Sequence, residues 1–196
     1  MSTNPTLEEQ IVKAGLFYGR RKDIAYRAGL VLQVLGAAVL AVLYPLESPF
    51  YTIGIMLFEA GVLLSGIFLL VWMSVVKKII LGSILTGLAL QIAGFYAQEQ
   101  NAGIMILAGI GLVCAGAAGM VGKEAYCFGY REGWLLMMVG FPVMVLVNLL
   151  GKENRVLNSI GFSIVFLLLL SLTGKKLRQQ LSTGATSLCN VPEKKA

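Results

Sequence analysis

Glu59 is an acidic residue inside one apolar stretch of this chain, and Gln91 is an amide inside the next. If both stretches are membrane helices, Glu59 lies about 12 Å deep at a rise of about 1.5 Å per residue, and Gln91 lies at a similar depth. A carboxyl group at that depth must be protonated or paired. One interpretation is a proton or cation site, or an axial ligand to the metal of a pigment. The other is a protonated glutamic acid that joins two helices through a hydrogen bond, with Gln91 as its candidate partner.

A second group of reactive side chains lies in the charged connector 122–134, GKEAYCFGYREGW. On a helix they form two neighbouring stripes. The first stripe is Lys123, Cys127 and Arg131, and the second is Glu124, Phe128 and Glu132. A thiol between two cations has a lowered pKa and can be redox-active, while two acids can contact a metal or the basic surface of a partner. The alternative is an interfacial connector with aromatic rings at headgroup level and charges in water.

Histidine is absent from the sequence, which argues against histidine-ligated haem, histidine-containing zinc sites and Ser-His-Asp hydrolysis. The three cysteines are Cys114, Cys127 and Cys189, and their spacing matches no zinc or iron–sulfur pattern. We therefore predict no metal site and no cofactor, although Glu, Gln, Asn or water could ligate the magnesium of a pigment. Two of the cysteines are expected on the cytoplasmic side, where disulfides are rare, so we expect no structural disulfide.

The elements that must position these residues are membrane helices. The chain is 57% hydrophobic and 13% charged, against roughly 45–50% and 25% in soluble domains. Its six apolar stretches are close to the roughly 17–25 residues that a helix needs to cross a bilayer. The pattern predicts an all-α, polytopic bundle of six transmembrane spans. They are residues 28–44, 51–75, 79–97, 103–121, 134–150 and 157–173.

The lysine and arginine residues predict the orientation of these spans. Fourteen of the sixteen basic residues flank the side on which both termini lie, and only Lys152 and Arg155 lie on the other. Because basic loops stay on the side of synthesis, both termini are predicted to be cytoplasmic, or stromal in a plastid. The net charge of +6 therefore reflects topology and does not indicate nucleic-acid binding.

Three segments result from this layout. Residues 1–27 form a cytoplasmic N-terminal segment, 28–173 the six-helix transmembrane domain, and 174–196 a basic, disordered cytoplasmic tail. The N-terminal segment carries TLEE at 6–9, which resembles a capping box. It is either an amphipathic helix on the membrane surface or a basic leader whose role is topology. It resembles neither a secretory signal nor a transit peptide.

Small residues recur every four positions in three of the spans. They are Gly61 and Ser65, Gly82 and Thr86, and Gly111, Ala115 and Gly119. Such spacing lets helix backbones approach closely in lipid. It serves either packing within one bundle or a contact with another membrane protein or a second copy. In the fifth span, Pro142 is predicted to kink or break the helix.

The connector sequence KEAYCFGYREGW, which follows a glycine-rich fourth span, resembles an integral membrane protein family of cyanobacteria and plastids. This family is known as a domain of unknown function. The local motif is KEAYCF at 123–128, and the resemblance covers roughly residues 20–181. It implies no activity. It does imply a location, namely an oxygenic phototroph with the thylakoid or plasma membrane as host.

Sparse intramembrane chemistry beside abundant packing motifs predicts an integral membrane protein that is not an enzyme. The expected role is an accessory, assembly or scaffold factor for a membrane complex, which the resemblance suggests is photosynthetic. The alternative is a small proton- or cation-coupled transporter or channel that uses Glu59. A third hypothesis is a redox protein or membrane enzyme that uses Cys127. The expected partners are the lipid bilayer and either other membrane proteins or a second copy of the chain.

Overall fold

The computed structural model describes residues 20–46, 48–71, 74–97, 99–150 and 155–179. Within these ranges all regular structure is helical. This agrees with the predicted all-α class. Residues 1–19 of the predicted N-terminal segment and 180–196 of the predicted C-terminal tail lie outside the described residues. Residues 20–27 and 174–178, which were predicted to lie outside the membrane domain, are continuous with its first and last helices.

The described residues form seven α-helices and one π-helical turn. They are α1 (Arg20–Leu43), α2 (Tyr51–Ile67), α3 (Ser74–Tyr96), α4 (Glu99–Phe128), α5 (Arg131–Leu135), the π-helical turn (Leu136–Gly140), α6 (Phe141–Leu150) and α7 (Arg155–Arg178). The helices α1, α3, α4 and α7 are long and apolar enough to cross a membrane. The helix α2 is apolar but shorter, with 17 residues. Together with the run from α5 to α6, six helical runs overlap the six predicted spans.

The helix in the second predicted span is shorter than predicted, because α2 ends at Ile67 rather than near residue 75. The backbone N–H of Phe68 donates to the carbonyl of Leu64, and that of Leu69 donates to the carbonyl of Gly66. This tighter last turn brings Leu69 into the core, where it is 2% exposed. The residues beyond Ile67 are as apolar as those before it, so hydropathy could not mark the end.

Two hairpin-like pairs, α1 with α2 and α3 with α4, make the most extensive helix contacts, and α7 packs along α1. Glycine allows the close approach in both pairs. A Cβ atom on Gly29 would lie 2.6 Å from the backbone nitrogen of Ser65, and one on Gly87 would lie 2.6 Å from the carbonyl oxygen of Gly109. Because lipid offers no hydrophobic drive for association, such backbone contacts are how membrane helices pack.

The predicted small-residue faces have different surroundings. Gly61 and Ser65 pack against α1, and Gly119 packs against α3. These residues serve the packing of the bundle itself. Gly82 and Thr86 instead lie on an exposed face of α3, and a Cβ atom on Gly82 would meet nothing within 4 Å.

The helical run in the fifth predicted span changes geometry just before Pro142, where the sequence predicts a kink or a break. The helix widens into the π-helical turn at Leu136–Gly140 and returns to α-helical geometry at Phe141. Proline has no N–H group to donate to the carbonyl four residues earlier, which removes one rung of the α-helical ladder. The interruption is a change of helical pitch inside a continuous helical run.

One end of the bundle collects most of the described basic side chains, and we call it the basic end. It is formed by the first turns of α1, α3 and α5 and the last turns of α4 and α7. Its cationic residues are Arg20, Arg21, Lys22, Arg27, Lys77, Lys78, Lys123, Arg131, Lys175, Lys176 and Arg178. The bias predicted from the sequence is therefore a clustering in space.

Candidate functional site

Glu59 and Gln91 are neighbours in the structure, as the similar depth of the two residues predicted. The Gln91 side chain lies close enough to the Glu59 carboxyl group to interact with it. Gln91 is 8% exposed, and its Nε2 atom makes no hydrogen bond of standard geometry among the described residues. Gln91 therefore acts on Glu59 as an adjacent amide rather than through a close hydrogen bond.

Glu59 lines a cavity of about 320 Å³, which we call the Glu59 cavity. Its walls come from α1, α2, α4, α6 and α7, in the half of the bundle opposite the basic end. Glu59 is the one acidic residue among the described residues that line the cavity. The others are apolar or aromatic, apart from Cys114, which has a thiol. Cys114 is buried with a free thiol. The cavity is thus an apolar space with one carboxyl group.

Aromatic rings form one wall of this cavity. The ring of Tyr44 meets those of Tyr51 and Phe162 edge-on, with centroid distances of 5.8 and 5.2 Å. The Nδ2 atom of Asn158 donates to the hydroxyl of Tyr44 at 3.2 Å. These contacts connect α1 with α7 and with the start of α2, so the wall is held from three elements.

A second site lies at the basic end, around Glu124. This side chain is completely buried, and its carboxylate lies 3.0 Å from the Lys123 ammonium and 2.9 Å from that of Lys176. The hydroxyl of Tyr26 donates to Glu124 Oε1 at 2.9 Å. Lys176 also lies 4.0 Å from the ring centroid of Phe128, within cation–π range. We call these five residues the Glu124 cluster. It joins α1, α4 and α7.

An ion pair in α1 extends this network towards the end of α7. Arg27 pairs with Asp23 one turn earlier at 2.9 Å, and both side chains are buried. The guanidinium of Arg27 also donates to the carbonyls of Leu177 and Gln179, at 3.3 and 2.8 Å. Because the last carbonyls of a helix have no partner within it, Arg27 satisfies the C-terminus of α7 from a neighbouring helix.

Glu132 and Tyr130 form the more exposed rim of the basic end. The carboxylate of Glu132 accepts hydrogen bonds from Lys175 and, at 3.2 Å, from Ser171. The Lys175 hydrogen bond is the main cause that lowers the pKa of Glu132 below its usual value. The hydroxyl of Tyr130 accepts a hydrogen bond from Gln179. Partial burial, then the Glu124 charge, raise the pKa of Tyr130.

Comparison with known proteins agrees with this architecture. The family model described as an uncharacterised integral membrane protein, DUF2301, matches residues 64–185, which is more than half of the chain. The chain belongs to the DUF2301 family. No curated protein and no solved structure matches it. Membership establishes an integral membrane protein, and the membrane-embedded helices therefore contact lipid.

The DUF2301 match contains Gln91, the connector and α7, whereas Glu59 lies just before it. The connector is helical only as far as Phe128. Gly129 has a φ of +68°, a conformation that favours glycine, and α5 begins at Arg131. The premise of one continuous helix through the connector is therefore wrong beyond Phe128.

The structure gives the connector residues separate roles. Lys123, Glu124 and Phe128 belong to the buried cluster, Glu132 pairs with Lys175, and Arg131 is exposed. Because Glu124 is enclosed by cations of its own chain, it is not available to a partner's basic surface. No group of three or more His, Cys, Asp or Glu side chains that could hold a metal occurs in the described part of the chain.

Cys127 does not present the free thiol on which the redox hypothesis depends, because it is disulfide-bonded. The expectation of no structural disulfide, which rested on the redox state of the cytoplasm, is corrected by this bond. Cys127 is half-buried near the end of α4. The thiol between two cations that the sequence suggested is therefore absent from this end of α4.

Sequence reasoning missed four members of the network at the basic end. They are Asp23, Tyr26, Arg27 and Lys176. Arg27 and Lys176 were interpreted only as topological flanks. One local signal was present, since Asp23 and Arg27 are four residues apart, the spacing at which opposite charges meet on a helix.

Proposed function

We propose that this protein is a non-catalytic accessory, assembly or scaffold factor that binds other helices within the membrane. The observation that carries the proposal is a small-residue face on α3. Gly82, Thr86, Ala89 and Ala93 are all exposed, and their spacing of four, three and four residues places them on one side of the helix. Small residues on a lipid-facing side let the backbone of another helix approach closely.

A test of this face uses bulky substitutions that the bundle itself tolerates. The variant Gly82→Leu/Ala89→Leu should remove the association, and Ala60→Leu on the exposed side of α2 is the matched control. Membranes of the host are solubilised in mild detergent and the particle size is measured on native gels. We expect wild type and the control to migrate as a larger complex and the double variant as a smaller particle.

Two results would refute the scaffold proposal. One is a wild-type protein that repeatedly purifies alone as a monomer under mild detergent. The other is a double variant that keeps the wild-type particle size while its melting temperature shows that it is folded. The proteins that co-migrate identify the accompanying membrane complex. They also show whether the host membrane is a thylakoid or a plasma membrane.

A second candidate function is proton- or cation-coupled transport through Glu59. The specific observation in its favour is that the Glu59 carboxyl group lines a cavity between five helices. In proteoliposomes with a pH-sensitive dye inside, Glu59→Gln should abolish proton flux. Glu132→Gln, the same substitution at the basic end, should leave it unchanged. Equal flux in wild type, Glu59→Gln and empty liposomes would remove this candidate.

Pigment binding is decided by an absorption spectrum of the purified protein. A colourless preparation with the size of the native complex supports scaffolding. Visible bands that disappear in Glu59→Gln and persist in Glu132→Gln would instead identify Glu59 as the ligand of a pigment metal.

A further inference from the structure

The Glu59 cavity combines one carboxyl group with aromatic and aliphatic walls, and this combination selects a class of ligand. Its volume of about 320 Å³ falls within the range of roughly 300–1,000 Å³ typical of small-molecule sites. The acid lies on α2, while aliphatic side chains such as Leu107 and Ile110 come from α4. A ligand that fits must therefore have a polar group at one position and an apolar body beside it.

Four of the described residues that line the cavity with the acid are aromatic. Phe58 is the residue next to Glu59, and Tyr44, Tyr51 and Phe162 also line the space. The face of an aromatic ring carries partial negative charge and attracts cations within about 6 Å. An acid and aromatic rings that line one cavity therefore favour a positively charged ligand over an anion.

Calcium and magnesium ions fit the described lining of this site poorly. A calcium ion requires about six to eight oxygen ligands and magnesium requires near-octahedral oxygen coordination. Among the described residues, the lining side chains offer the carboxyl group of Glu59 and the hydroxyls of Tyr44 and Tyr51, and the hydroxyl of Tyr44 already accepts a hydrogen bond from Asn158. An organic cation needs no such coordination shell, and its apolar body can pack against the aliphatic wall.

Gln91 lies beside the Glu59 carboxyl group but cannot neutralise it. Its side chain is more than nine-tenths buried beside Glu59, with an Nε2 atom that lacks a hydrogen bond of standard geometry in the described ranges. An amide carries no charge, so it can orient a carboxylate but cannot compensate its charge. A cation in the cavity would supply that compensation, which a neutral apolar ligand would not.

We propose that the Glu59 cavity binds a small organic ammonium ion. The ammonium group lies against the Glu59 carboxylate and the aromatic rings, and the apolar part lies against the aliphatic residues of α4. Binding is proposed independently of scaffolding and of transport. It requires only the cavity and its acid.

The test compares two probes of nearly the same shape and different charge, phenyltrimethylammonium and tert-butylbenzene. Binding to the full-length protein in an uncharged detergent is measured by saturation-transfer NMR titration against empty micelles. We expect wild type to bind the cation at least about tenfold more tightly than its neutral counterpart, because cation–π and charge attraction both act on the cation. Glu59→Gln should lose most of this preference, with only the cation–π part remaining, and Glu132→Gln should retain all of it.

A second variant separates loss of the charge from loss of the fold. Ile110→Trp fills the cavity from α4 and leaves Glu59 intact, so it should lose both probes while the melting temperature stays close to that of wild type. The proposal is overturned by equal binding of the two probes to wild type, by no binding, or by a preference that is undiminished in Glu59→Gln. Unchanged binding to Ile110→Trp would also overturn it, since the probe would then occupy another place.

Discussion

The ammonium group of Lys176 lies 2.9 Å from Glu124 Oε2, although both side chains are almost completely removed from solvent. Lys123 and Tyr26 contact the other oxygen of the same carboxylate. A buried charge without a partner is costly, so the three contacts depend on one another. Through them, Glu124 connects the last turn of α4 with α1 and α7.

Glu124→Gln is expected to destabilise the protein by about 3–5 kcal/mol, because Lys176 would remain buried without its counter-ion. The measurement is thermal unfolding in detergent. The double variant Glu124→Gln/Lys176→Met should regain part of the loss, since the unpaired ammonium is removed as well. The control is Glu132→Gln, which breaks the more exposed ion pair with Lys175 and should cost at most about 1 kcal/mol.

If Glu124→Gln and wild type had the same melting temperature, the Glu124 cluster would not contribute to the stability of the protein. If the double variant were as unstable as the single one, the loss would arise from Glu124 itself rather than from the unpaired Lys176.

The Glu132 ion pair should give a small pH dependence of stability. The Lys175 hydrogen bond lowers the pKa of Glu132 in the folded protein below its usual 4.5. A lowered carboxyl pKa contributes stability above the unfolded pKa, and this contribution is lost as the pH falls through the folded pKa. We expect the stability difference between wild type and Glu132→Gln to be constant from pH 7 to about pH 5 and to shrink below the usual carboxyl pKa. Melting curves of both proteins at matched pH values measure this difference.

A difference that grows as the pH falls would contradict the assigned direction. Lys175→Met provides the control, because the pH dependence attributable to Glu132 should become smaller when the main cause of its lowered pKa is removed. Both side chains belong to the exposed rim, so neither change should disturb the buried Glu124 cluster.

The sequence predicted the apolar helices well and the network at the basic end poorly. Hydropathy locates the helical runs because each span must satisfy its own backbone in lipid. Depth along two successive helices was enough to pair Glu59 with Gln91, since neighbours in the chain pack side by side. Tyr26 and Glu124 are 98 residues apart, and no local pattern states which face of α1 meets α4.

The end of α2 shows the same limit at short range. Composition continues to be apolar past Ile67, where α2 nevertheless ends and Leu69 turns into the core. Similarly, the connector carried a recognisable motif, but its sequence alone could not reveal that Glu124 faces inward. Burial depends on partners from distant segments.

Gly87→Ala should destabilise the α3–α4 pair, while Gly82→Ala should not. A Cβ atom at Gly87 would lie 2.6 Å from the carbonyl oxygen of Gly109, whereas one at Gly82 would meet nothing within 4 Å. Overpacking of this kind costs about 1–3 kcal/mol, and an unobstructed Gly→Ala change in a helix gains up to about 1 kcal/mol. The two variants share a helix, so the difference of their melting temperatures isolates the contact. Equal effects would show that the backbones of α3 and α4 do not approach so closely.

The hydrogen bond between Gln33 and Ser65 should make a modest contribution to the α1–α2 pair. Gln33 Nε2 donates to Ser65 Oγ at 2.7 Å, and both side chains are fully buried. Side-chain hydrogen bonds between membrane helices are typically worth about 0.5–2 kcal/mol. A double-mutant cycle with Gln33→Met and Ser65→Ala measures the coupling from four unfolding free energies. We expect a coupling within that range. Ser65 Oγ also donates to the Gly61 carbonyl at 2.7 Å and retains this bond in Gln33→Met, so Ser65 is not left without a partner in that variant. A coupling of zero would show that Gln33 is held by the close packing of the two helices and not by this bond.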